Sequence, residues 1–229
     1  MKHIWIYFFS WFVFFGFSQV PNDTIVPKKH RYGIRFGADL FKLTKTFIDS
    51  DYQGLELVGD YRLNKKIYIA TEIGTENKTT NEPQLNFTTK GSYLKIGVDF
   101  NAYQNWLDME NQIYIGTRYA TSIFSQKLNY YRIYYNTDGF LGEHTRINAN
   151  REFSDLNAHW LELIGGVKTK IFDNFFVGLS LRLTIMITDQ KPENFDNLYI
   201  PGFHRTYNGS FGVGFNYAIS YLIPLYRKN

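Results

Sequence analysis

Four histidines lie beyond the first twenty residues, His30, His144, His159 and His204. An imidazole can activate a serine hydroxyl when a carboxylate orients it, so these are the first places to look for chemistry. His159 is the best placed, at the head of an alternating stretch, but the next residue on its face is Leu161 and not a serine. Hydrolase chemistry would need the fold to bring a serine to His159 or His204. The sequence has no HExxH pattern and no cysteine, which removes the helical zinc motif, thiolate metal sites, disulfides and a cysteine nucleophile. Asp49-Ser50-Asp51 offers two carboxylates without the ligand number of a calcium loop, and reads as a solvated turn. These residues predict a non-enzymatic protein with no cofactor and no metal.

Charges do recur with a pattern. Arg35, Arg62, Lys95, Arg118, Lys168, Lys170 and Arg182 stand against Asp39, Glu56, Asp60, Glu72, Asp99 and Glu162, all on the polar face of stretches whose other face is apolar. The alternation is strict. In the first stretch Tyr32, Ile34, Phe36, Ala38 and Leu40 oppose Gly33, Arg35, Gly37 and Asp39, and in the seventh Val177, Leu179, Leu181, Leu183, Ile185 and Ile187 oppose Gly178, Ser180, Arg182 and Thr184. Period two means strands, and eight such runs are predicted, over 32–40, 54–63, 67–76, 93–101, 112–124, 160–171, 175–187 and 211–225. The balance of 25 Lys+Arg to 21 Asp+Glu, spread along the chain, lacks a nucleic-acid footprint, so no nucleic-acid partner is expected.

A soluble sandwich also alternates, and two features decide against it. Glycine and balanced charge on one face suit the inside of a narrow barrel, where glycines make room and charges pair while the apolar face meets lipid. The connections also have a rhythm. Those over 41–52, 77–92, 125–159 and 188–210 are long, whereas 64–66, 102–111 and 172–174 are shorter, the pattern of an outer-membrane barrel with long outer loops and tight periplasmic turns. Tyr61, Tyr103, Trp106, Phe172, Phe175, Tyr221 and Tyr226 then fall at the periplasmic rim as an aromatic girdle. Eight strands leave a lumen that side chains fill, so the twelve charges Arg35, Asp39, Glu56, Asp60, Arg62, Glu72, Lys95, Asp99, Arg118, Glu162, Lys168 and Arg182 are expected to form a structural lumen network, with a narrow pore or small-ligand channel as the alternative.

Lys2 and His3 precede an apolar run from Ile4 to Phe17, followed by Ser18 and Gln19, the layout of a cleavable signal peptide over 1–19. That run is shorter than the roughly 20 residues a helical span needs. The expected organisation is a signal peptide, a short periplasmic segment at 20–31 and an all-β, eight-stranded antiparallel transmembrane barrel over 32–229. In the longest connection, Asn129 to Phe140 reads as a hairpin extension turning at Asn136 to Gly139. Tyr130, Tyr131, Arg132, Tyr134, Tyr135 and Phe140 there have the residue types that concentrate binding energy in interfaces. Phe195, Tyr199, Phe203 and Tyr207, around Pro201-Gly202, are expected to cap the barrel mouth.

The segments YGIRFGADL (32–40), GLELVGDYRL (54–63), NFFVGLSLRL (174–183), YIPGF (199–203) and GVGFNYAISYLIPL (212–225) resemble a family of uncharacterised small outer-membrane β-barrel proteins of Bacteroidota. The resemblance covers most of the chain beyond the signal peptide and carries no catalytic motif. It implies a protein of the Gram-negative outer membrane, in contact with its lipids, that serves as an accessory or scaffold subunit beside other outer-membrane proteins or lipoproteins. A rim-located lipid-modifying hydrolase is the second alternative.

Overall fold

The computed structural model describes residues 30–105, 109–135, 143–193, 195–204 and 210–228. The predicted signal peptide, residues 20–29, Trp106, the Asn136 to Gly139 turn, Phe140 and Tyr207 lie outside them. Eight antiparallel strands follow in order: β1 (His30–Asp39), β2 (Tyr52–Arg62), β3 (Ile67–Asn81), β4 (Leu85–Asn101), β5 (Gln112–Tyr135), β6 (Glu143–Phe172), β7 (Phe175–Asp189) and β8 (Phe211–Lys228). Each pairs with its sequence neighbour, and β1 pairs with β8, so the sheet closes into a barrel without edges through its body.

Closure gives the period-two pattern its meaning, since alternate side chains must point into the barrel or out of it. Leu181 is 69% exposed and Ile115 61%, whereas Glu56 is 1% and Glu162 2% exposed. Apolar outside and charged inside is the inverse of a barrel folded for water.

Four expectations need correction. The segment 41–52 is not simply a loop, because α1 (Leu40–Ile48) starts directly from β1. Asp39 ends the strand in an extended conformation, and its carboxylate accepts from Phe41 N at 2.7 Å and Lys42 N at 3.3 Å, satisfying the first free amides of the helix. Leu40 therefore belongs to the helix and not to the strand face.

The segment 77–92 is not a long loop either. Pairing runs on through Lys78↔Thr89 to Asn81↔Asn86, and only Glu82 to Gln84 connect the strands, with Glu82 N donating to Leu85 O at 2.9 Å. Beyond the apolar band both sheet faces are polar, so the strands continue on Thr and Asn without alternation in hydropathy. This makes the β3–β4 connection shorter than the β4–β5 one, and the predicted alternation of long and short connections fails there. Likewise β5 and β6 run far past 124 and 160 as a tall hairpin, in line with the extended reading of residues 129–135.

Tyr32, expected on the apolar wall with Ile34 and Phe36, is covered instead, because β8 carries an extra residue, Leu225, opposite the Tyr32–Gly33 step and sets Tyr226 against it. Tyr32 is 4% exposed, stacked on Tyr226 with ring centroids 5.1 Å apart and covered by the Arg62 guanidinium.

Candidate functional site

The lumen is filled in tiers. Nearest the end that carries residues 30 and 228, here the terminal end, Arg31 is paired with Glu110 and donates to Asn174. Above it, Asp60 is held between Arg35 Nε at 2.7 Å and Lys168 Nζ at 2.5 Å, and the Arg35 guanidinium lies over the rings of Tyr68 and Phe176.

The middle tier is a chain of six groups. Arg118 joins Asp99 at 2.7 Å to Glu72 at 3.6 Å, Arg182 joins Glu72 at 2.5 Å to Glu162 at 3.2 Å, and Lys95 reaches Glu162 at 2.8 Å. Three acids meet three bases, all buried. Trp160 Nε1 adds a further donor to Glu162 at 2.8 Å. Desolvated charges are tolerable when each has a counter-charge, which this tier supplies across β3, β4, β5, β6 and β7, although Asp99 Oδ1, Arg118 Nε and Arg182 Nε have no hydrogen-bond partner among the described residues.

The opposite end is plugged. Helix α1 turns Lys42 into the barrel, where its ammonium lies 2.8 Å from Glu56 and 2.7 Å from Glu76 and donates to the Tyr93 hydroxyl. The segment between β7 and β8 folds in beside it. Tyr199 Oη donates to Glu76 at 2.6 Å, Gly202 N at 3.3 Å, and His204 Nε2 lies 3.3 Å from the same carboxylate. Ile200 and Phe203 pack into a cluster with Tyr93, Ala120, Phe124, Leu156, Ala158 and Trp160, so the upper lumen is aromatic and apolar where the sequence reading expected glycine and charge. Gly202 has φ +82°, and a Cβ there would stand 2.5 Å from the Tyr93 ring, so the turn over that ring requires glycine.

What space remains inside is small. Three polar gaps of about 30, 40 and 20 Å³ lie along the axis, each room for a water or two. A larger cleft of about 500 Å³ opens at the plugged end between the β3–β4 turn and the β7–β8 segment, lined by Pro83, Leu85, Phe87, Leu198 and Tyr199 among others.

Of the twelve predicted lumen charges, the structure brings nine into the two lower ion-pair tiers and puts Glu56 in the plug. Asp39 is buried, but its carboxylate caps α1 and accepts from Asn216 at 2.6 Å, so it is a cap and not an ion-pair partner. Arg62 sits at the terminal rim, over Tyr32 and Tyr68, and donates to the backbone oxygens of Asn64 and Lys65. Of the residues expected to cap the mouth, Tyr199 and Phe203 lie in the plug, whereas Lys42, Glu76, Asn216 and the ion-pairing place of His204 were missed. For Lys42 a signal existed, since Asp39 is a helix-capping residue type at the end of a strand pattern; for the contact of His204 with Glu76 none did.

The predicted contact residues are partly spoken for. Tyr130 and Tyr131 pair with Asn86 and Leu85, Arg146 covers the Tyr130 ring at 3.7 Å, and Arg132 binds the β3–β4 turn through the carbonyls of Pro83 and Gln84. Tyr134 and Tyr135 complete β5. His159 points outward beside Tyr119, whose hydroxyl lies 3.0 Å from Nδ1. Among the described residues no serine is hydrogen-bonded to His159 or His204. Asp49 is engaged by Lys78 at 2.9 Å, which holds its carboxyl below the usual range, and Asp51 accepts from Asn81.

Residues 1–228 match the family model described as Domain of unknown function (DUF6048). The chain belongs to this family. No curated protein matches the sequence. Among solved structures, the DUF6048 chain is similar to Ail, the attachment invasion locus protein of Yersinia pestis, at 9% identity and a TM-score of 0.41, over 86% of this chain and 100% of that one.

Proposed function

We propose that this DUF6048 protein is an integral barrel of the Gram-negative outer membrane, exported by residues 1–19, that works without catalysis as an accessory or scaffold subunit of a larger outer-membrane complex. The observation that carries the reading is the inversion of the barrel: a continuous apolar wall around a lumen closed by paired charge and sealed by Lys42, Tyr199 and Phe203. A wall of that kind is stable in hydrocarbon and not in water. A filled lumen leaves the wall and the hairpins at the plugged end as the surfaces available for work.

The experiment is a purification of the tagged chain from native outer membranes in mild detergent, with mass spectrometry of stoichiometric partners. A constant partner supports the subunit reading, and a monodisperse lone barrel overturns it. A narrow pore is the second reading, favoured by one observation: the three polar gaps share Arg35 and Asp60, then Arg182 and Asn216, along a single file. Planar-bilayer recording separates the two, since a scaffold stays silent with or without the Lys42 latch.

A further inference from the structure

The two ends of the barrel differ in charge. On the terminal rim Arg31, Lys65, Lys66, Lys170 and Arg227 stand with Glu110 and Asp173, and those two acids are taken up by Arg31 and Lys170. Lys65, Lys66 and Arg227 are exposed and have no acidic partner among the described residues. At the plugged end acids and bases offset each other, as in Lys78 with Asp49 and Lys191 with Asp196.

These three bases sit where the apolar wall stops. Lys65 and Lys66 lie between exposed Leu63 and Ile67, and Lys66 Nζ is 5.9 Å from the centre of the Phe100 ring, which is itself exposed on the wall. Arg227 follows exposed Leu225 and Tyr226. The Tyr61 and Tyr226 hydroxyls lie 3.5 Å apart, which brings the end of β8 beside the β2–β3 turn across β1. The result is a belt along the rim, from Arg227 on β8 past Tyr226 and Tyr61 to Lys65 in the β2–β3 turn and Lys66 on the Phe100 side of it, two phenols and three cations at the depth of lipid headgroups.

We propose that this belt binds the phosphates of anionic glycerophospholipids in the leaflet at the terminal rim, the phenols donating to ester or phosphate oxygens and Lys65, Lys66 and Arg227 each neutralising charge. The proposal rests on the membrane reading above. The lipid is favoured over an acidic protein segment because the cations flank lipid-facing side chains instead of crowning a surface that looks into water.

The test uses the full chain refolded into phosphatidylcholine vesicles containing spin-labelled phosphatidylglycerol or spin-labelled phosphatidylcholine. The expected result is a preference for the anionic label that falls by about fivefold for each base removed in Lys65→Gln, Lys66→Gln and Arg227→Gln, and that weakens with salt. Lys90→Gln with Lys127→Gln, at the plugged end, leaves it unchanged. Equal association of both labels, or equal loss in the plugged-end variant, overturns the site, as does a rim that binds poly-glutamate without lipid preference. A chain that fails to insert even into zwitterionic vesicles overturns the membrane reading itself.

Discussion

Lys42 is the residue on which the plug turns. Its ammonium is the only cation in contact with both Glu56 and Glu76 among the described residues, so Lys42→Met leaves two buried carboxylates facing each other. Breaking a buried pair from one side costs about 3–5 kcal/mol, and the expected outcome is a lowered unfolding midpoint in detergent with earlier proteolysis of residues 40–48. Adding Glu56→Gln to that variant recovers part of the loss. At the other end Glu110 gives a pH dependence. Burial raises its carboxyl, but the hydrogen bond from Arg31 and that residue's charge outweigh burial and hold it below the ordinary glutamate value. A depressed folded-state value means stabilisation present above the unfolded carboxyl range and lost as pH falls through the folded value. Hydrogen exchange in residues 101–105 and 109–112 should therefore distinguish wild type from Glu110→Gln at pH 7 and cease to do so in strong acid.

Helix α1 depends on its first turn more than on its length. Nine residues are marginal as a free helix, and Asp39 both caps the helix and anchors it to β8 through Asn216. Asp39→Ala is expected to cost about 1 kcal/mol for the cap alone, with trypsin cutting at Lys42 and Lys45 before the strands are lost. The opposing segment depends on Gly202 in the same way: any side chain meets the Tyr93 ring in a backbone conformation that disfavours it. Strand extension beyond the apolar wall is a second element-scale lesson. Thr79 and Thr88 share a hydroxyl bond at 2.9 Å and Asn129 reaches Thr88, so the hairpins stand on polar side-chain ladders once lipid-facing alternation ends.

The whole molecule answers to its solvent. Leu181, outward and 69% exposed, should accept arginine poorly, with Leu181→Arg losing about 2–4 kcal/mol of insertion free energy at mid-wall, read as a smaller heat-modifiable band on a gel. An arginine set beyond the apolar band, in place of Lys127 between Thr88 and Glu152 for example, should cost little. The barrel itself was legible from residue types because a closed sheet with different media on its two sides writes period two into each strand. The lumenal charges, Arg35 through Arg182, could be named from that parity alone. Partner choice among them could not, since Arg182 meets Glu72 from 110 positions away and only the register of eight strands sets that distance. The plug was legible only in part for a related reason: the aromatics around Pro201-Gly202 marked a cap, but Lys42, Tyr199 and His204 belong to connections, where no periodicity exists, and their shared partner appears only when closure brings both connections over the same carboxylate, Glu76. What the sequence determined by itself was the wall, its eight strands and the sign of each face. Tertiary structure alone decided which groups meet inside the lumen, because burial of a charge becomes tolerable only when its counter-charge arrives through space.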